Sequence, residues 1–399
     1  MRTAKKNFNY LVLKKENSRT VLSALRTHGR MSRKEISELT KLSFPTVCRI
    51  VDELMSESIL TEAGFVKTGN AKRRTVLLDI EPGGCWVLAL EIGGSHIKAA
   101  AMDLAGNLHE SVEQSLDNVR GEEPVAQAIV STMNRLLKEC EPKRGKPLAM
   151  GISCTGMVDS NLGIVKLSFN LDLNNFPIAR IARQVCNIPA TVYDNIISST
   201  LAEAKLGHGR TNDSFAYIAI GVGVGGSFVI NRELYPLAAI SQFGMMIVGP
   251  EGDPDRFGGR SYLESIASGQ GIAAAARRAI ESGTKSLLTE LSTANITAKD
   301  VAEAAKKGDK LALDIFACAT NYLGLAIVNI TNLFGITFFA ISGGVSKSGD
   351  VFWNSLHEAV AKYEYWPGQI KLEPSVLNED AAVLGAGFLA LNKVFDPSD

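Results

Sequence analysis

The sequence predicts an α/β protein in two parts: a small helical domain ending in a β-hairpin, then a larger domain of two related α/β lobes facing each other across a cleft. Three observations point there. Capped, amphipathic helical patterns fill the first 80 residues, charge is divided unevenly along the chain, and one strand, glycine turn, strand unit occurs twice in the remainder.

With 399 residues, 46% of them hydrophobic, the chain is long enough for two or three domains and a sizeable core. Its formal net charge of zero conceals a segregation. Residues 1–80 hold 16 Lys or Arg against 8 Asp or Glu, which leaves 26 against 34 for the rest. A basic first fifth suits a polyanion, and an acidic remainder does not. The six cysteines are dispersed without a CxxC pair, which favours reduced thiols over a disulfide framework or a zinc ribbon. No signal peptide and no uninterrupted apolar run of bilayer-spanning length is read, so the expectation is a soluble, cytoplasmic protein with no membrane partner.

Residues 1–16 are basic and polar, with an apolar patch at Phe8, Tyr10, Leu11 and Leu13, and read as an arm or short helix. Ser18 to His28 is a helix with Val21, Leu22 and Leu25 inward, stopped by Gly29. Ser32 and Glu35 form a capping box that starts a second helix with Ile36 and Leu39 inward. Ser43 caps a third, with Pro45 in its first turn and Val47, Ile50, Val51 and Leu54 along one face. This is helix-turn-helix grammar. Its outward face carries Pro45, Thr46, Cys48, Arg49 and Asp52, short or polar groups suited to base edges and phosphates. Ile59 to Glu62, a turn at Gly64 and Thr75 to Leu78 suggest two strands, and the stretch between them holds Lys72, Arg73 and Arg74. A basic tip beside a helix-turn-helix reads as a wing reaching phosphates or a minor groove, so the expected partner is double-stranded operator DNA. The expected DNA-binding residues are Pro45, Thr46, Arg49, Lys72, Arg73 and Arg74.

Glu81-Pro82-Gly83-Gly84 marks a boundary. Trp86 to Ile92 is a buried strand, Gly93-Gly94 a tight turn, Ile97 to Asp103 a second strand, and Gly106-Asn107 a hairpin signal. The unit recurs as Phe215 to Ile220, the turn Gly221 to Gly226, and Ser227 to Ile230. These turns offer backbone N–H groups to phosphate oxygens, or serve only as fold geometry. Helices are expected over Pro124 to Cys140, Ile178 to Cys186, Ile197 to Leu206, Ser261 to Ala276 and Ala312 to Leu333. A strand at Ile336 to Ile341 precedes a third glycine turn at Ser342 to Ser346 and a helix with Phe352, Leu356 and Val360 inward.

The order of these motifs resembles the repressor branch of the ROK family of repressors and sugar kinases, over nearly the whole chain. The resemblance rests on Leu42-Ser43 to Val51 and the wing, Glu91 to Ser95, Gly151-Ile152 to Val158-Asp159, Gly221 to Gly226, Ser342 to Val345, and Glu379 to Ala386. It implies a winged helix-turn-helix followed by a two-lobed actin-like ATPase fold of the sugar kinase and hexokinase type. The implied divisions are residues 1–80, a first lobe of 81–194 with 377–399, and a second lobe of 195–376. Departures from the family's kinases carry the functional expectation. Glu91 and Ser95 stand where the first turn of kinase members has Asp and Thr, and Asn195 stands at the position of the catalytic Asp. An amide cannot take a proton from a sugar hydroxyl at neutral pH, so no catalytic residue is assigned and phosphoryl transfer is expected to fail; adjacent Asp194 points elsewhere. At the family's zinc loop, Met245, Asp255, Phe257 and Tyr262 replace a His and three Cys, so neither a metal nor a cofactor is expected. Asn170, Asn195, Gln242 and Glu264 remain as the implied ligands of a carbohydrate or sugar phosphate effector. The expected assembly is a homodimer or dimer of dimers. The alternative is an active ATP-dependent sugar kinase carrying a DNA-binding domain; regulation by a docked protein is a third possibility.

Overall fold

The computed structural model describes residues 16–67, 74–81, 83–235, 242–249 and 261–395. The chain forms two compact units, one of residues up to Ser198 together with those from Ala382, the other from Ser199 to Ala381.

The first unit opens with helix α1 (16–28), which buries Val21, Leu22 and Leu25 and ends at Gly29, whose φ of +75° is readily adopted only without a Cβ. Helix α2 (Arg33–Thr40) begins with both halves of the capping box formed: Ser32 Oγ accepts from the Glu35 N–H, and Glu35 Oε2 accepts from the Ser32 N–H at 2.7 Å. Its inward residue is Ile36. Leu39 is 45% exposed, contrary to expectation, because it lies about 60° around the helix from Ile36 and an eight-residue helix packs along a single line. Helix α3 (Phe44–Ser56) buries Val47, Ile50, Val51 and Leu54 as the periodicity requires.

Strands β1 (Leu60–Lys67) and β2 (Arg74–Ile80) pair antiparallel from Leu60↔Ile80 to Lys67↔Arg74. Gly64 is not a turn. It sits inside β1 with φ +105°, at a register shift between Glu62 and Phe65, and so forms a bulge. A bridge from Met31 to Leu78 anchors the wing to the helices. Lys72 and Arg73, assigned to the tip, lie outside the described residues.

Strands β3 (Trp86–Ile92), β4 (His96–Asp103), β5 (Leu108–Ser115), β6 (Met150–Cys154) and β10 (Ala190–Asp194) make a sheet ordered β10-β6-β3-β4-β5. A small antiparallel sheet of β7 (Met157–Asp159), β8 (Ile164–Ser168) and β9 (Leu173–Phe176) follows β6. Helices α4 (Glu122–Arg144) and α5 (Ile178–Val185) share a core with Leu88, Leu90 and Ile92. Helix α6 (Asn195–Leu206) leaves the end of β10.

The second unit repeats this plan. Strands β11 (Phe215–Ile220), β12 (Val224–Ile230), β13 (Glu233–Leu234), β14 (Phe338–Ser342) and β15 (Lys371–Pro374) are ordered β15-β14-β11-β12-β13, matching β10-β6-β3-β4-β5 position for position. In both sheets the first strand forms an antiparallel glycine-turn hairpin on one side and pairs parallel with a later strand on the other. The expected duplication therefore extends to whole sheets.

The helix expected over Ser261 to Ala276 is two helices, α7 (Leu263–Ala267) and α8 (Gly269–Glu281). Ser268 breaks the run because its hydroxyl caps α8, accepting from the Gly271 N–H at 3.0 Å. Helix α9 (Ala298–Lys306) and helix α10 (Lys310–Phe334) follow, and helix α11 (Asp350–Tyr363) packs on α10, closely enough at Gly324 that a Cβ would press on Ala359. By length and composition α10 is apolar enough to cross a membrane, although Asn321, Asn329 and Asn332 interrupt its apolar run. Half of its apolar window is buried within the unit, where Phe316, Leu323 and Ile327 enter the core; a core helix meets the same test. Helix α12 (Ala381–Phe395) returns to the first unit and lays Val383 and Ala386 over Ala89 and Ala100.

Candidate nucleic-acid interface and ligand-binding residues

Helix α3 is set by local chemistry. Ser43 Oγ accepts from the Thr46 N–H, Pro45 occupies the first turn, and the buried stripe fixes which face turns out. Pro45 and Arg49 are exposed on that face and Thr46 is half-buried. The structure thus brings three of the expected residues onto one helical surface. Arg49 Nη1 lies 3.2 Å from Glu53 Oε1, and Arg33 Nη2 lies 2.7 Å from Asp52 Oδ1. Both acids of α3 are therefore partnered by arginines. Surface pairs of this kind contribute only about 0–1 kcal/mol, so Arg49 can exchange Glu53 for a base edge at small cost. Arg74 opens β2 with its guanidinium 5.9 Å from the Phe65 ring centroid, a cation–π contact beside an exposed aromatic. Phe44, at the first position of α3, is also exposed; the helical period had given no reason to place it outward.

In the first unit the Gly93-Gly94 turn closes with the Gly93 N–H on the His96 carbonyl at 2.9 Å. Asn170 lies against this turn, its amide 3.6 Å from where a Cβ of Gly94 would stand. Glu91 is buried on the strand leading in, with Oε1 3.6 Å from His96 Nε2. That carboxylate raises the His96 pKa above the ordinary imidazole value, against the opposing effect of burial. Asn195 is the first residue of α6, and Asp194 caps that helix. Asp194 Oδ1 accepts the N–H groups of Ile196 and Ile197 at 3.0 and 2.9 Å, so this carboxylate is turned into the helix end. Replacing Asp194 with alanine is expected to lower stability by ~1–2 kcal/mol. Denaturant unfolding checks this; an unchanged midpoint would show that the cap is dispensable.

In the second unit Glu264 Oε2 accepts the Val224 N–H at 2.9 Å, and a Cβ at Gly223 would collide with the same oxygen. One oxygen of this expected sugar ligand is therefore engaged in holding the second glycine turn. The Gly221 N–H bonds to Gly223, and the Gly221 carbonyl accepts from the Gly269 N–H at the start of α8. The N–H groups of Gly221 and Val224 are thus both engaged within the unit. Gln242 lies in a 3-10 turn spanning Gln242–Met245, and Tyr262 pairs with Ile247 in an isolated bridge. Asp255 and Phe257 lie outside the described residues.

The ROK family profile matches residues 87–393, and a winged helix-turn-helix DNA-binding profile matches residues 14–61. The chain belongs to the ROK family. It is 25% identical to a putative xylose repressor of Caldicellulosiruptor sp. (strain Rt8B.4) over 384 residues, 94% of this chain and 96% of that one. It is 28% identical to a glucokinase of Halalkalibacterium halodurans over 312 residues, 76% of this chain and 94% of that one. The crystal structure of a ROK family transcriptional regulator, a homolog of the E. coli MLC protein, superposes with a TM-score of 0.80 at 22% identity, covering 97% of this chain and 98% of that one. The fold is thus the winged helix-turn-helix joined to the two-lobed, actin-like ROK domain. Residues 209–317, which include the zinc loop of the family resemblance, contain neither His nor Cys, so a set of one His and three Cys cannot form within that stretch.

Proposed function

We propose that this ROK protein is a DNA-binding transcriptional repressor whose larger domain senses a carbohydrate. The observation that carries the reading is the pairing, in one chain, of a winged helix-turn-helix with a ROK domain, in common over 94% of the chain's length with a relative named as a putative xylose repressor. Pro45, Thr46, Arg49 and the wing residues Lys72, Arg73 and Arg74 contact the operator. Asn170 and Asn195 in the first unit, and Gln242 and Glu264 in the second, offer amides and carboxylates to sugar hydroxyls. A sugar that binds one arrangement of the protein better than another shifts the spacing of two winged helices in a dimer, and so releases half-sites about one helical turn or a multiple apart.

The similarity to a glucokinase supports a second reading, an ATP-dependent sugar kinase with an added DNA-binding domain. With Asn195 in place of a catalytic carboxylate and Asp194 used as a cap, the protein is proposed to be non-catalytic. Two measurements decide between the readings: operator binding across a sugar panel, and a coupled ADP-release assay on the same panel. Release of operator by a sugar without turnover supports the sensor; sustained turnover abolished by Asn195→Ala establishes the kinase instead.

A further inference from the structure

Three polar atoms of the first unit are buried without a hydrogen-bond partner: Glu91 Oε2, Ser153 Oγ and Ser168 Oγ. Glu91 and Ser153 are paired positions on the parallel strands β3 and β6, each one residue short of the strand's C-terminal end. Both face away from the α4 core, because the alternating residues Leu90, Ile92, Ile152 and Cys154 fill it. Ser168 abuts Gly156, just beyond the end of β6, where a Cβ would stand 2.8 Å from the Ser168 Cβ. The Thr155 N–H joins this segment to the Ile92 carbonyl at 2.9 Å, and Asn170 lies against Gly94. Glu91 and Ser153 are therefore neighbours at the C-terminal ends of two parallel strands, where open α/β sheets hold ligands, and Ser168 and Asn170 lie on segments packed against the two turns that leave those ends.

Folded proteins rarely leave buried polar groups unpaired, so three on these neighbouring segments mark positions that a ligand completes. The carboxylate oxygen only accepts, and its missing partner must donate. Among the described residues no group of three His, Cys, Asp or Glu is placed to hold a metal ion. A phosphate would bring negative charge against a buried carboxylate. Hydroxyl groups meet the requirement, since each donates to Glu91 and can exchange bonds with either serine.

We propose that Glu91, Ser153 and Ser168 form a hydroxyl-binding subsite that accepts an uncharged polyol, a free sugar, and excludes its phosphate ester. The proposal rests on the carbohydrate-sensing reading above and extends it to the charge of the effector. Glu91 is then a specificity-determining residue, set at the turn beside Asn170.

Titration calorimetry of the full chain with free pentoses, hexoses and N-acetylhexosamines, each beside its phosphate ester, tests this. A free sugar is expected to bind at least tenfold more tightly than its ester. Glu91→Gln should narrow that ratio at least tenfold by admitting the ester, whereas Ser153→Ala should weaken the free sugar severalfold and keep the preference. An ester that binds the parent protein as tightly as the free sugar overturns the subsite and leaves carbohydrate sensing intact. Equal loss of both ligands in Glu91→Gln, with an unchanged melting curve, also overturns it. If Glu91→Gln does not fold, the parent's ratio and Ser153→Ala still decide. If neither sugars nor esters bind, the sensing reading and the subsite fall together.

Discussion

Arg49→Ala is expected to weaken operator binding by about 1–3 kcal/mol, roughly 5- to 150-fold, while leaving binding to unrelated DNA nearly unchanged. The reasoning starts from the helix. Val47, Ile50, Val51 and Leu54 fix the inward face of α3, so Arg49 stands out of the domain, with a guanidinium able to make two parallel bonds to one guanine. Its resting partner, Glu53, is one turn away and only half-buried, so the pair is given up easily on the DNA. Lys72→Ala provides the contrast. A phosphate contact carries no sequence information, so its loss should weaken all DNA alike and reduce the salt slope by about one. Fluorescence anisotropy with operator and scrambled duplexes over a salt series separates the two outcomes. If both variants bind every duplex as the parent does, helix and wing are misassigned.

The parts of this fold that sequence makes legible are those decided within a few residues. Ser32 with Glu35, and Ser43 before Pro45, write two helix starts into adjacent side chains, and both caps form as read. Repeated glycine turns between apolar strands revealed the duplication, because a tight hairpin must be closed locally. Gly64 was misread since a lone glycine within a strand pattern fits a turn and a bulge equally, and only the ladder with β2 decides between them. The break at Ser268 is local too, but a cap inside a continuous helical pattern is visible only once the second helix is known to need it. The candidate site is the least legible part. Glu91 looks like a departure from a kinase motif; that one of its oxygens is buried and unpaired depends on Ser153 more than sixty residues away and on which face of β3 the α4 core takes. Glu264, picked out as a sugar ligand, also holds the Val224 N–H, a role that the sequence does not announce.

Gly151→Val is expected to be among the most damaging single changes in the ROK domain, and its cause lies in long-range packing of that kind. Gly151 is on β6, on the sheet face covered by α12, and a Cβ there would run into the Ala386 carbonyl and stand 3.0 Å from the Ala390 N–H nitrogen. Both are backbone atoms of a helix, so no side-chain rotation relieves the clash. Either α12 lifts off, uncovering the Val383 and Ala386 contacts with Ala89 and Ala100, or β6 bends away from β3 and β10. Overpacking of a core costs about 1–3 kcal/mol, and the upper end applies where backbone must move. Gly385 gives an independent check, since its own Cβ would meet the Ser198 carbonyl on α6. Gly385→Val should therefore destabilise to a similar degree, while Gly344→Val, where nothing stands within 4 Å of the added Cβ and φ is −63°, should cost less. Urea unfolding of the three variants measures the ranking. Equal midpoints for Gly151→Val and Gly344→Val would mean that α12 does not press on the sheet as described.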